Sequence, residues 1–81
     1  MALVFFGKDP NSKLEDCPSV FVDDATADLV FQGWKADEAT EAECRQVGNI
    51  PDTEAVVRIP ARMAPLIRKA LDDAEERARV L

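Results

Sequence analysis

The sequence predicts an α+β fold: a small antiparallel sheet of three to four strands, a short acidic helix, and a long C-terminal helix packed on one sheet face. Two apolar runs flank the polar residues 23–28, which is typical of a β-hairpin. Apolar residues recur at helical spacing from residue 63 to residue 78. With 81 residues and 47% hydrophobic composition, we expect a single domain. Its acidic β-rich body spans residues 1–60 and its C-terminal helix residues 61–81.

The first three strands follow from short apolar runs. Residues 3–6 form an aromatic, β-prone run that we expect to stop at Gly7, and residues 8–18 are predicted to be a surface loop. Residues 19–22 and 29–34 are the hairpin strands. In the second of these, alternation places Leu29, Phe31 and Gly33 on one face and Val30, Gln32 and Trp34 on the other.

The short helix and a further strand come next along the chain. Asp37 is a favourable N-cap for a helix over residues 38–47, with acidic residues in its first turn. Gly48 and Asn49 would end this helix. Residues 54–59 are predicted to be a third central strand, which Pro60 stops.

A long helix closes the chain. Pro65 fits only in a first turn, so we expect regular helix to begin between Ala61 and Ala64. Beyond Leu71 the apolar stripe thins to alanines, so the last two turns are expected to fray or to dock on a partner. The stripe that should face the sheet consists of Met63, Leu66, Ile67, Ala70, Leu71, Ala74 and Ala78.

Charge and cysteine content restrict the classes of function. The chain has 10 basic and 16 acidic residues, a net charge of −6. Residues 15–54 hold eleven acidic and two basic residues. This argues against a direct nucleic-acid ligand, because phosphate binding needs a basic surface. The apolar run after Met1 is five residues long, too short for a signal peptide or a membrane span. We therefore expect a cytoplasmic protein in which Cys17 and Cys44 are reduced, although one bridge between them remains an alternative.

Gln32, Trp34, Lys35 and Arg58 are the candidate protein-interaction residues. Gln32 and Trp34 share a predicted strand face, and Arg58 lies in a strand where alternation allows it to face outwards. Tryptophan and arginine are enriched at interface hot spots. The alternative also stands: a single tryptophan in a small domain is commonly a core residue, and Arg58 would then only offset neighbouring acids.

Other chemistry has weaker support. Asp23, Asp24 and Asp28 resemble a hard-cation site only in part, since alanines occupy positions where ligands would be needed, and a solvated hairpin tip is the simpler interpretation. A redox role for Cys17 and Cys44 lacks a CxxC motif. Histidine is absent, and with it the usual general acid–base group at neutral pH. We predict no enzyme activity, no cofactor, no metal and no small-molecule substrate.

Three stretches carry a resemblance to a known group: residues 6–12, residues 17–20 leading to Gln32-Gly33-Trp34, and residues 50–52 leading to residues 57–63. The chain resembles small acidic actinobacterial proteins whose genes are often found near helix-turn-helix regulators linked to development. The resemblance covers roughly residues 5–71 and implies no catalytic residue. Such proteins often have glycine where this chain has Ala27, which implies a positive φ at that position.

Two hypotheses of function follow. In the first, the chain is a non-enzymatic interaction module, an accessory partner of a basic DNA-binding transcriptional regulator, as the resemblance implies. Its acidic surface would complement the regulator's basic one. In the second, the partner is the chain itself, in a homo-oligomer formed through an exposed sheet edge or the helix stripe.

Overall fold

The computed structural model describes residues 2–11 and 17–81, and it has the α+β class that the sequence predicts. A three-stranded sheet is followed by a two-stranded ribbon, and a short helix lies between the two ribbon strands in the sequence. A long helix is the last element of the described chain. The strands are β1 (Leu3–Lys8), β2 (Ser19–Asp23), β3 (Leu29–Gln32), β4 (Trp34–Lys35) and β5 (Val57–Arg58). The helices are α1 (Glu38–Arg45) and α2 (Ala64–Arg79), the second preceded by a 3₁₀ turn at Ala61–Met63.

The three-stranded sheet is antiparallel, with β2 between β1 and β3. Val22 lies opposite Val4 on one side and Leu29 on the other, and Val20 lies opposite Phe31. Directly opposite residues share a sheet face, so these five side chains form the face that is turned towards the core. The predicted hairpin of β2 and β3 is confirmed.

Helix α2 packs across that face, as the sequence predicts. Val20, Val22, Met63 and Ala70 are all 0% exposed and form one cluster with Ala74. Small alanine side chains on α2 allow the helix backbone to come close to the valines of β2. The core of the described residues therefore lies between β2 and the first three turns of α2.

The apolar stripe of α2 is narrower than predicted. Leu66 and Ile67 pack against the core, but Leu71 is 41% exposed and Ala78 is exposed as well. Leu71 lies about 100° around the helix from the fully buried Ala70, and so its side chain is directed away from the buried centre of the contact. The prediction that Leu71 and Ala78 face the sheet is wrong.

Strand β1 continues past the residue at which the sequence predicts its end. The register shifts between Phe5 and Gly7, so Phe6 is the extra residue of a β-bulge, and pairing resumes to Lys8. Gly7 has φ of +147°, and a Cβ there would be 2.9 Å from Leu66 Cδ2. Glycine therefore permits both the bulge and the close approach of α2, which corrects the prediction of a stop at Gly7.

A break at Gly33 divides the strand that was predicted over residues 29–34. A Cβ on Gly33 would be only 2.6 Å from the carbonyl oxygen of Arg58. The chain therefore leaves the three-stranded sheet there, and β4 pairs with β5 in a separate ribbon. The third central strand predicted over residues 54–59 is shorter and is not central: only Val57 and Arg58 form a strand, and it pairs with β4 in the ribbon. Residues 51–54 form a turn in which Glu54 N donates to Pro51 O.

The first loop is anchored by an ion pair between the buried Asp9 carboxylate and the partly exposed guanidinium of Arg62. Asp9 is 1% exposed, and its carboxylate accepts hydrogen bonds from Arg62 Nε at 2.6 Å and Arg62 Nη2 at 2.5 Å. Asp9 raises the pKa of Arg62 through these hydrogen bonds. Asp9 N also donates to Pro18 O at 2.9 Å. The predicted surface loop is thus buried at its two ends, at Asp9 and at residues 17–18, while residues 12–16 lie outside the described residues.

The tip of the β2–β3 hairpin has the backbone conformation that the resemblance implies. Ala27 has φ of +66°, in the left-handed region. Its N–H donates to Asp23 O at 2.8 Å, and Asp23 N donates to Asp28 O at 2.8 Å. The expectation of positive φ at Ala27 is confirmed, and the alanine side chain is strained there.

Helix α1 begins where the sequence predicts. Asp37 is its N-cap, and the carboxylate accepts a hydrogen bond from Thr40 N at 2.8 Å. The helix ends at Arg45, two residues before the predicted end at Val47. The carbonyl oxygen of Cys44 accepts hydrogen bonds from Val47 N and Gly48 N, which closes the last turn.

Candidate interaction surface

Residues 34–58 form an arm, made of the β4–β5 ribbon and α1. The structure describes all of these residues, and none of them is buried. Every buried residue of the described chain lies before Gly33 or after Arg62. The arm is therefore held by its own backbone hydrogen bonds and by the ribbon, and it lacks a hydrophobic core of its own.

Trp34 and Arg58 lie directly opposite each other in the ribbon. Since opposite residues share a face, two residue types that are frequent at hot spots are brought side by side. Trp34 is 46% exposed. The interpretation of Trp34 as a core residue is therefore wrong.

The other two candidates lie apart from this pair. Lys35 is opposite Val57, one residue along each strand, and so belongs to the other face of the ribbon. Gln32 ends β3 in the three-stranded sheet, and its Nε2 donates to Cys17 O at 3.2 Å. The prediction that Gln32 shares a strand face with Trp34 is wrong, because the strand breaks at the residue between them.

A chain of polar contacts joins the ribbon to α1. Arg58 Nη2 donates to Thr40 Oγ1 at 2.7 Å, and Thr40 N donates to Asp37 Oδ1. The hydrogen bond with the Thr40 side chain lowers the pKa of Asp37, and the Thr40 backbone N–H and the charge of Arg58 lower it further. These contacts fix the Arg58 guanidinium beside the start of α1 and leave Trp34 as the large exposed side chain of that face.

The arm as a whole is acidic. It carries six acidic and three basic residues, a net charge of −3. Two of its valines are also exposed, Val47 at 94% and Val57 at 42%. The arm thus presents apolar side chains on a negatively charged surface.

The aspartates of the hairpin tip serve the turn. Asp23 Oδ1 accepts from Ala25 N at 2.8 Å, and Asp24 Oδ1 accepts from Ala2 N at 3.0 Å. Asp28 N donates to Thr26 Oγ1 at 3.2 Å. Within the described residues, no three metal-ligating side chains come together as a group. The carboxylates of Asp23 and Asp24 therefore cap backbone N–H groups at this tip.

The cysteines and the helices add two observations. Cys17 is buried and Cys44 is half-buried, and no disulfide joins them. Neither helix of the described chain has the length and the apolar composition that crossing a bilayer requires.

A second exposed apolar surface lies on the sheet face away from α2, and it was missed from the sequence. Phe5 and Phe21 lie opposite each other with ring centroids 5.6 Å apart and planes tilted by 49°. Phe5 is 58% exposed and Leu3, two residues earlier on the same face, 44%. Alternation within β1 was the signal that could have indicated this face, since residues 3 and 5 fall on one side of a strand.

No protein family, curated protein or solved structure matches this chain.

Proposed function

We propose that the chain is a non-enzymatic protein-interaction module that binds its partner through the arm, with Trp34 as the anchor. The partner that fits best is a basic DNA-binding transcriptional regulator. The proposal rests above all on one observation: 25 consecutive residues contain no buried side chain yet hold the tryptophan of the chain in a defined position.

The energetics favour binding through Trp34. A tryptophan side chain buries about 150–250 Å² when it is fully covered. Since Trp34 is 46% exposed, covering the rest would remove roughly 100 Å² from water, worth about 2.5 kcal/mol. The arm is pre-formed by the ribbon and by the contact of Arg58 with Thr40, so less conformational entropy is lost on binding.

The charge of the arm supports a basic partner. The arm carries six acidic and three basic residues, and electrostatic complementarity with a basic surface raises association rates. The resemblance to actinobacterial proteins encoded near helix-turn-helix regulators supplies the class of partner. In this proposal the arm lies against the basic surface of the regulator, and the chain acts on transcription without contacting DNA.

Capture from native extract of the source organism tests the proposal, with the bound proteins identified by mass spectrometry. We expect a basic DNA-binding protein that is captured at low salt and lost at high salt. Trp34→Ala should abolish capture. Val80→Ala is the matched control, because Val80 is 81% exposed but lies outside the arm, after α2.

Two outcomes would overturn the proposal. One is a captured protein that binds wild type and Trp34→Ala equally. The other is the absence of any DNA-binding protein among those that Trp34→Ala loses. A charge reversal separates the electrostatic contribution: Glu41→Lys on α1 should slow association and weaken its salt dependence, while Glu75→Lys, at an exposed position of α2, should not.

A further inference from the structure

We propose that the chain also pairs with a second copy of itself through the outer edge of β1, in an antiparallel register that places Leu3 opposite Phe5 of the second copy. This surface differs from the arm and goes beyond the proposed function. The resulting dimer would have a continuous six-stranded sheet and would leave both arms free.

The backbone of β1 has hydrogen-bonding groups directed away from the sheet. Asp24 N donates to Ala2 O at 3.0 Å, so Ala2 and Asp24 are a hydrogen-bonded pair. In an antiparallel ladder such pairs alternate, and the next one is Val4 with Val22. The N–H and C=O groups of Leu3 and Phe5 therefore point to the outer edge, where no other strand of the described residues pairs with them.

Hydrogen bonds of β2 independently support this alternation. Asp23 N donates to Asp28 O at 2.8 Å, on the β3 side. The backbone N–H and C=O groups of its neighbours Val22 and Asp24 must then point towards β1. This agrees with the hydrogen bond between Asp24 N and Ala2 O.

The bulge restricts the possible register. Pairing with β2 shifts at Phe6, so the regular outward groups before the bulge belong to Leu3 and Phe5. Placing Leu3 opposite Phe5 of the copy, and Phe5 opposite Leu3 of the copy, uses all of these groups in about four backbone hydrogen bonds. The edge is self-complementary in this register, as a two-fold interface requires.

The side chains agree with the same register. Leu3 and Phe5 are 44% and 58% exposed on one face, and each would lie beside the other residue of the copy. Phe21, already in contact with Phe5, would extend the apolar stripe on both sides of the two-fold axis. Val4 would lie opposite Val4 of the copy on the face turned to α2.

Charge permits a second copy at this edge in spite of the net charge of −6. Residues 2–8 contain no acidic residue. The nearest acid on that face is Asp23, opposite Leu3. Three strand spacings and a two-residue offset separate Asp23 from its counterpart by about 16 Å, which exceeds the Debye length of about 8 Å at physiological salt. Repulsion between the copies is therefore screened at this edge.

Pairing over so few residues makes a small interface, so the dimer should be transient. Sedimentation equilibrium from roughly 10 µM to 1 mM covers that affinity range. We expect the wild-type mass to rise from monomer towards dimer. Leu3→Pro removes an N–H that points away from β2 and pairs with no other strand of the described residues, and an edge strand tolerates proline there. Leu3→Pro should raise the dissociation constant of the dimer at least about tenfold. Phe5→Glu should have the same effect.

Trp34→Ala is the control, because it lies in the arm and should leave self-association unchanged. Circular dichroism establishes that each variant is folded. A wild-type chain that stays monomeric over the whole range would overturn the proposal. So would a dimer that survives both β1 variants, or one that Trp34→Ala abolishes, since the last result would place the interface on the arm.

Cross-linking tests the register itself. In a Cys44→Ser background, Val4→Cys should form a disulfide-linked dimer with diamide, because the two residues 4 would be a closely spaced pair with Cα atoms about 4.5 Å apart. Asp24→Cys in the same background is the negative control, since it lies one strand further from the axis. Equal cross-linking of the two variants would contradict the register. If the wild-type chain self-associates but captures no DNA-binding protein, only the proposed function is refuted.

Discussion

Replacing Gly33 with alanine should detach the arm from the body of the protein. A Cβ at this position would be 2.6 Å from the Arg58 carbonyl oxygen, 2.8 Å from Ile59 Cδ1 and 3.2 Å from Val57 Cβ. The nearest of these atoms belongs to the backbone and cannot be moved by a change of rotamer. The β4–β5 ribbon must therefore shift or open.

The magnitude follows from the cost of overpacking. An added methyl group that forces backbone shifts costs about 1–3 kcal/mol. That free energy would raise the population with an open ribbon by about 5-fold to 150-fold. The three-stranded sheet and α2 contain the buried core, so they should lose less.

The single tryptophan supplies the assay, because Trp34 is in the ribbon. We expect Gly33→Ala to shift Trp34 emission to longer wavelength at a lower urea concentration than in wild type, ahead of the loss of far-ultraviolet ellipticity. Gly48→Ala is the matched control, because a Cβ at Gly48 would meet nothing within 4 Å. Equal urea midpoints and equal emission for the two variants would refute the account of the ribbon.

Three further substitutions test other parts of the structure. Ala27→Gly should stabilise the chain by about 0.5–1 kcal/mol in urea unfolding, because it relieves the strain at φ +66°. Ala25→Gly in the same turn should not stabilise it. A larger gain in stability from Ala25→Gly than from Ala27→Gly would contradict this hairpin geometry. Val20→Ala removes two buried methyl groups and should cost about 2–3 kcal/mol. Val47→Ala, at a site 94% exposed, should stay within about 0.5 kcal/mol, and similar losses at both sites would disprove the placement of the core. Because the folded pKa of Asp37 is depressed below its ordinary 3.8, its ionised form stabilises α1 above that pH and the contribution is lost as pH falls through the folded pKa. Asp37→Asn should therefore flatten the change in thermal midpoint between pH 5 and pH 2.5, and an unchanged pH profile would count against the cap.

Local patterns were sufficient to predict most elements. The polar stretch between two β-prone runs predicts the hairpin, and Asp37 predicts the start of α1. Pro65 predicts the start of α2 within a turn. Each of these depends on short-range chemistry, in which a residue's own hydrogen bonds or fixed φ decide the backbone. The positive φ of Ala27 was reached from the resemblance.

Long-range packing accounts for what the sequence did not predict. Gly33 looks like an ordinary strand residue until the Arg58 carbonyl is placed against it. The break there separates Gln32 from Trp34 and reduces the predicted interaction patch to Trp34 and Arg58 on one face. Asp9 and Arg62 are 53 residues apart, so neither residue indicates from its own surroundings that the carboxylate is buried and paired.

Hydrogen exchange measured by mass spectrometry tests the central claim most directly: residues 34–58 are an arm without a core that a partner completes. In the free chain, the amides of the arm should exchange roughly tenfold or more faster than those of β2 and the first three turns of α2. Binding of the proposed basic regulator should slow exchange around Trp34 and α1 and leave the core strands unchanged. Arm amides as protected as the core in the free chain, or protection by the partner outside the arm, would contradict the account.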